Sequence, residues 1–305
     1  MIYTLTLNPS IDYIVELDNF VEGSVNRTKN EKAYPGGKGI NVSSILRALE
    51  FDSIALGFVS GFTGEYVKQI LTEKNINHNF IEVNEGFTRI NVKIKSSDET
   101  EVNGSGPNIS ENQIQNILDQ VKSLKKYDIL VIAGSMPSSV RSDIYEDIMK
   151  IAKEKEILVV ADTTKKLLTD LLKHNPFLIK PNIHELEEIF ETKINSDEEI
   201  ITFAKQLQTM GAKNVLVSLG KDGAILVTDE NQILKSNVAK GTVKNSVGAG
   251  DSMVGGFIAG YIKNKDYKDA LKLGATCGCA TTFSYDIATK EFIDSLIDEI
   301  NVENI

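Results

Sequence analysis

An α/β fold is what this sequence predicts: a three-layer α/β/α sandwich with a mostly parallel central sheet and a small β-sheet lid. Three observations predict it. Short apolar runs alternate with segments of helical period for most of the length. The apolar runs read as buried strands, which suits a parallel sheet covered by helices on both faces. Polar, strand-like pieces at 12–20, 29–34 and 89–103 break the rhythm and cannot easily join such a core.

The elements follow in order. Residues 2–7 read as a first strand; they carry no basic leader and do not resemble a signal peptide. Residues 40–49 have helical periodicity, 53–59 are strand-like and 64–74 helical. Ser110 opens a strong helix, with Gln113 three residues on as in a capping box, and Ile114, Ile117, Leu118, Val121 and Leu124 on one face. Residues 129–133 and 158–161 read as strands, and 177–179 as a short apolar run. Ser196 with Glu199 caps a helix to Met210, and 215–217 is the next strand. Met253, Val254, Phe257 and Ile258 begin a buried helix. In the lid, Ile90, Val92 and Ile94 alternate with Asn91, Lys93 and Lys95, and a turn at Ser97-Asp98 returns the chain through 99–103 as a hairpin. The expectation is one domain over 1–305 with a discontinuous lid at about 12–35 and 87–105. One face of a small isolated sheet needs cover, so the lid is expected to pack on a second copy in a homodimer.

Bulk properties exclude several classes. The 41% hydrophobic and 25% charged residues are ordinary for a globular chain. A net charge of −10 argues against a general nucleic-acid binder, which needs a positive surface. No apolar stretch reaches the ~18 residues of a membrane span. Cys277 and Cys279 lie in an apolar segment without nearby histidines, a poor zinc site and no disulfide framework, which suits a reducing cytoplasm. His78, His174 and His184 are scattered and show no triad or metal spacing.

Chemistry concentrates in a few segments. Residues 246–252 read Ser-Val-Gly-Ala-Gly-Asp-Ser before the buried helix. Gly248 and Gly250 remove Cβ atoms around Ala249, so backbone N–H groups can turn toward an anion at a helix N-terminus. Asp251 in the same place suggests phosphoryl transfer, with its carboxylate accepting the proton of an attacking hydroxyl. The plainer reading is a glycine turn and a helix cap. Asp12 ends the run Asn8-Pro9-Ser10-Ile11-Asp12 after the first strand, at the sheet edge where α/β ligands bind. Pro35-Gly36-Gly37-Lys38-Gly39-Ile40-Asn41 is not a Walker A loop, but its glycines suggest close approach to a ligand, with Lys38 supplying charge and Asn41 bonding hydroxyls. Arg89 opens the lid hairpin and suits a phosphate clamp, with Arg27 a weaker counterpart. Asn182 and Glu185 stand three apart at a helix start, where they could reach Mg²⁺ through water or simply cap the helix. Asp162 ends the preceding strand as a possible helper or cap. Ser218, Gly220 and Gly223 form a turn that could line a nucleotide pocket.

Taken in this order, these segments resemble the ribokinase-like, PfkB-type carbohydrate kinases over nearly the whole chain. The Gly36–Asn41 and Gly248–Asp251 stretches are the most specific marks. Residues 6–12 and 88–93 are most similar to members that phosphorylate fructose 1-phosphate at O6, and next to those acting on tagatose 6-phosphate. The resemblance implies ATP and Mg²⁺ as cofactors and a sugar phosphate as acceptor. It implies Asp251 as base and Gly248, Ala249 and Gly250 as anion hole. Asp12, Arg27, Gly37, Lys38, Asn41 and Arg89 then belong to the sugar-phosphate side, and Asn182, Ser218, Gly220, Gly223 and Gly250 to the nucleotide side. Glu185 joins the metal through water. Residues 133–139, Ala-Gly-Ser-Met-Pro-Ser-Ser, depart from the family pattern by a missing glycine at Ser139, and no site residue is expected there.

Overall fold

The computed structural model describes residues 1–163 and 165–305, with the backbone alone of Lys165 and Lys166. Among these residues two sheets form. The large one runs in the order Val302–Asn304, Ile233–Ser236, Ala224–Val227, Asn214–Ser218, Leu178–Ile179, Leu158–Asp162, Ile129–Ala133, Ile2–Thr6, Ser53–Ser60 and Asn77–His78. Pairing is parallel from Asn214–Ser218 to Asn77–His78. The other end is antiparallel. Ile81–Val83 adds to the far end of Ser53–Ser60.

The strands need cover on both faces because both faces are apolar. Leu130 and Ile132 join one core with Val159, Ala161, Val215 and Val217; Ile129, Val131 and Ala133 join the other with Val160 and Leu216. Glu111–Ser123, Ile144–Glu154 and Asp197–Thr209 close the first face. Lys38–Ala48, Ala249–Asn264 and Tyr267–Thr282 close the second. The helix expected from residue 64 starts at Gly61, and the one expected from residue 40 starts at Lys38. Ser110 and Gln113 do form the reciprocal capping box.

The small sheet has the order Asn30–Gly36, Ser10–Glu16, Arg89–Lys95, Glu99–Asn103. Ser10–Glu16 pairs antiparallel with Asn30–Gly36 and parallel with Arg89–Lys95, which alone explains why these distant segments meet. Its burial is the reverse of ordinary alternation: Asn91 and Lys93 are buried, while Ile90, Val92 and Ile94 are only half-buried and Val102 is exposed. The polar face with Asp12 and Asn91 is therefore turned toward the cleft; on the opposite face Ile11 and Ile90 pack against Ile40, Val67 and Leu71, while Val92, Ile94 and Val102 are left partly or fully open.

Candidate active site

The first strand of the large sheet and its parallel neighbours all end on one side, where the chain leaves the sheet between helices. A cleft of about 540 Å³ opens there beneath the small sheet. Asp12, Gly37, Lys38, Asn41, Arg89, Asn182, Ser218, Gly248, Gly250 and Asp251 all border it. Residues as far apart in sequence as Asp12 and Asp251 thus share one wall. Ala249, Gly250, Ser218, Gly220 and Gly223 border a second, more apolar cleft of about 490 Å³, which also touches Val238, Met253 and Phe283. Ser218 and Gly250 stand where the two meet.

Asp251 lies in the first turn of Ala249–Asn264. Gly248 caps that helix at φ +80°, a left-handed backbone that glycine adopts without strain. The opening amides of a helix have no acceptor within it and carry a partial positive charge, so they present donors to an anion. Asn41 Nδ2 donates to Asp251 Oδ2 at 2.8 Å. The carboxyl is buried, and burial together with the nearby negative charge of Asp162 raises its pKa to about 6, against the opposing pull of Lys38, Asn41 and Lys180. A carboxyl poised there accepts a proton near neutral pH.

Lys38 opens its helix and donates to Asp162 Oδ1 at 3.1 Å. Lys180 Nζ lies 3.6 Å from the same oxygen. Burial would raise the Asp162 carboxyl, but Lys180 and Lys38 more than reverse this and hold it below the usual carboxylate range. Burial pulls Lys38 down, and Asp162, Asp251 and Glu185 outweigh it, so its pKa ends raised. The sequence expectation put Lys38 on the sugar-phosphate side; it borders the cleft, with its ammonium paired to Asp162, since a buried carboxylate demands a counter-charge.

Asp12 is held from three sides. Ser10 Oγ donates to its Oδ1 at 2.8 Å, Asn91 Nδ2 at 3.0 Å, and Lys93 Nζ stands 3.7 Å from Oδ2. Gly36 makes room for it, since a Cβ there would lie 2.5 Å from Asp12 Oδ1. Arg89 donates from Nε to the Asn8 carbonyl at 3.1 Å, which anchors the guanidinium at the lid's edge of the cleft. Arg27 is on an exposed loop and does not border the cleft.

Asn182 and Glu185 form a reciprocal cap: Glu185 N donates to Asn182 Oδ1 and Asn182 N to Glu185 Oε2, each at 2.9 Å. The cap and the cleft are compatible, because Asn182 borders the cleft and the charge of Glu185 is felt by Lys38. Sequence reasoning passed over Gly134 and Ser135, which border the cleft despite the departure at Ser139. Ser139 Oγ instead accepts from Ile109 N at 2.9 Å, a bond within the fold. Lys180 and Asn91 were also missed; a lysine or asparagine on an apolar or alternating run reads as a surface residue until the cleft it borders is known.

A proton acceptor, a helix N-terminus, one buried ammonium at Lys180 and one half-buried at Lys38 around one cleft define a phosphotransferase acting on a hydroxyl. The chain belongs to the pfkB family of carbohydrate kinases, whose description it matches over residues 5–291. It is 49% identical over 305 residues to the 1-phosphofructokinase of Bacillus subtilis (strain 168), covering 100% of both chains. It is 38% identical over 306 residues to a D-tagatose-1-phosphate kinase of Bacillus licheniformis, again covering 100% of both. The crystal structure of Escherichia coli phosphofructokinase-2 in complex with fructose-6-phosphate superposes with a TM-score of 0.90 at 26% identity, covering 98% of each chain.

Proposed function

We propose that this chain transfers the γ-phosphoryl group of ATP to O6 of fructose 1-phosphate, giving fructose 1,6-bisphosphate and ADP. The observation that carries the reading is Asp251, held by Asn41 at a helix N-terminus in the same cleft as Asp12 and Arg89. The acceptor lies under the lid with its phosphate at Arg89 and its ring hydroxyls at Asp12 and Asn41. Its free hydroxyl faces Asp251, which takes the proton as the oxygen attacks phosphorus. The amides of Gly248, Ala249 and Gly250 carry the developing charge, and Lys38 neutralises the transferring group from the Asp162 side. The base and ribose of ATP occupy the apolar cleft of Ser218, Gly220 and Gly223. Alignment and charge stabilisation supply most of the rate, and the lid limits access of water.

The residues present suit Mg²⁺ held largely by phosphate oxygens and water. Among the described residues no group of three or more His, Cys, Asp or Glu forms a cage for a bare ion. Asp162 Oδ2 is buried without a protein partner, and Glu185 uses only Oε2 in its cap, so these two would hold the ion's water shell. When bound, the ion supplies charge neutralisation to the phosphates.

The chain acts, in this reading, as one domain with its lid, in the cytoplasm, where Cys277 and Cys279 stay reduced; both are free. It pairs as a homodimer through the outward apolar face of the lid, around Val92, Ile94 and Val102. Light scattering of the wild type and of Ile94→Asp tests this: a dimer that dissociates on substitution is expected, and a monomeric wild type overturns it.

Tagatose phosphates are the second reading, favoured by the tagatose-1-phosphate kinase relative. A panel of fructose 1-phosphate, tagatose 1-phosphate, tagatose 6-phosphate and the free sugars with Mg-ATP, followed by ADP release, separates them. The highest kcat/KM is expected with fructose 1-phosphate. A tagatose phosphate preferred tenfold would replace that acceptor, and no turnover with any sugar phosphate would remove the kinase reading.

A further inference from the structure

The turn at 283–289 joins helices Tyr267–Thr282 and Lys290–Leu296 and carries a large ring where a surface turn needs none. Tyr285 is 64% exposed, yet two ammonium groups stand over its ring. Lys32 Nζ, from the lid strand Asn30–Gly36, lies 5.3 Å from the ring centroid, and Lys244 Nζ, from the segment that leads into Gly248, lies 5.1 Å from it. Like charges repel, so two lysines converge only where something negative gathers them, and the face of an aromatic ring does so. Among the described residues neither lysine has an ion-pair partner, so the ring is the partner both ammonium groups share. The turn is also braced against the loop that ends in the catalytic amides. Lys244 N and Asn245 N donate to the Thr282 carbonyl at 3.0 and 3.2 Å, and Asn245 Nδ2 donates to the Tyr285 carbonyl at 3.3 Å. A Cβ on Gly248 would lie 2.9 Å from Ile287 Cδ1. Lys74 Nζ pairs with Asp286 Oδ2 at 3.3 Å and ties the turn to the end of helix Gly61–Glu73. Between lid and turn a crevice of about 40 Å³ remains, bordered by Tyr34, Lys93, Asn245 and Tyr285 and too small for either substrate.

We propose that Tyr285 is a positioning residue that couples the two substrates. Its ring holds the lid, through Lys32, to the segment 244–248, through Lys244, so that an acceptor seated under the lid also steadies the amides of Gly248, Ala249 and Gly250 that meet the nucleotide. The inference rests on the kinase reading. Tyr285 borders neither substrate cleft, so it touches no reacting atom. Coupling of this kind is reciprocal: the acceptor tightens nucleotide binding by the same factor by which the nucleotide tightens the acceptor. One cation–aromatic contact on an exposed surface corresponds to about two- to fivefold, and the bridge is as strong as the weaker of its two contacts. The phenol oxygen is not needed for this, because the ammonium groups meet the ring face.

The test measures binding of the Mg²⁺ complex of imido-ATP by calorimetry, with and without fructose 1-phosphate. Wild type should bind it about fivefold or more tightly when the acceptor is present. Tyr285→Ala should cut that gain by about two- to fivefold and leave each separate affinity within about twofold. Tyr285→Phe, which keeps the ring, should keep the whole gain. Lys32→Gln should lose what Tyr285→Ala loses, and the double variant no more than either. A second measurement needs neither substrate: amide hydrogen exchange of the free chain should quicken in both 30–36 and 244–248 for Tyr285→Ala and in neither for Tyr285→Phe. An unchanged gain in Tyr285→Ala overturns the proposal, as do equal losses in the Ala and Phe variants or additive losses in the double variant. Quicker exchange in one segment alone, or a fall in thermal midpoint with the gain intact, overturns it too, because either marks a residue that only packs the turn. A wild type that binds imido-ATP but turns over no sugar phosphate refutes the acceptor assignment alone; the exchange comparison still decides the bridge.

Discussion

Replacing Asp251 by Asn should make the protein more stable and nearly inactive, and the two effects share one cause. In the folded chain the Asp251 carboxyl is raised from 3.8 to about 6, first by burial and then by the charge of Asp162. Folding therefore works against its ionisation. Between those two values the folded state binds more protons than the unfolded state, so this group's contribution to stability falls as pH rises through the window and stays lost above it. A shift of about two units corresponds to about 3 kcal/mol at pH 8, of which we expect about 1–3 to appear after relaxation of the site. Asn carries no charge to desolvate, and its carbonyl oxygen can still accept the Asn41 bond. Thermal unfolding at pH 8 should thus show Asp251→Asn melting several degrees above wild type. At pH 5 the gap should narrow by about half, since wild-type Asp251 is then mostly protonated in the folded state. In parallel, kcat should fall by about 100-fold or more, and the wild-type kcat/KM should rise with pH through an inflection near 6. A variant no more stable than wild type at pH 8, or a gap independent of pH, would refute the argument that burial strains this carboxylate. Near-normal turnover would remove it from the base role.

Other expectations follow from neighbouring contacts. Asn41→Ala removes a hydrogen bond that lowers the Asp251 pKa, so the inflection should move to higher pH; a shift to lower pH, or none, contradicts that geometry. Arg89→Ala should raise the acceptor's KM by about tenfold or more with a smaller change in kcat, and an unchanged KM means the guanidinium does not clamp the phosphate. Gly256→Ala would put a methyl 2.7 Å from the Leu273 carbonyl and 2.8 Å from Cys277 Sγ, so the tightly packed helices Ala249–Asn264 and Tyr267–Thr282 must part. A loss of about 1–3 kcal/mol in denaturant unfolding is expected, and an unaltered midpoint would show that the helix pair yields freely.

Much of the fold was legible because it is written in local pattern. The capping signals at Ser110 and Ser196 and the apolar runs at 129–133 and 215–217 depend on nearest neighbours along the chain, and the helices and strands stand within a few residues of where those signals put them. The helices Tyr267–Thr282 and Lys290–Leu296 gave weaker signals. The first is packed over most of its length with small residues on several sides, so it lacks a clear apolar stripe, and the second is short. The lid's existence was readable from polar strands that could not enter a parallel core. The direction of its faces was not, because Asn91 and Lys93 look like the wet side of a strand until the cleft beneath them is known.

The glycine-and-aspartate loop before a buried helix, and the alternation that builds a covered parallel sheet, belong to the sequence by itself: backbone freedom at Gly248 and the period of apolar residues are properties of short segments. Tertiary structure alone decided which charges meet. Lys38 and Lys180 are 142 residues apart along the chain (180 − 38) and become partners only through Asp162, a contact set by strand order in the sheet. The proton affinity of Asp251 was decided the same way, since desolvation and Coulomb forces act through space, and no spacing of residues along a chain encodes how much water a carboxylate will lose.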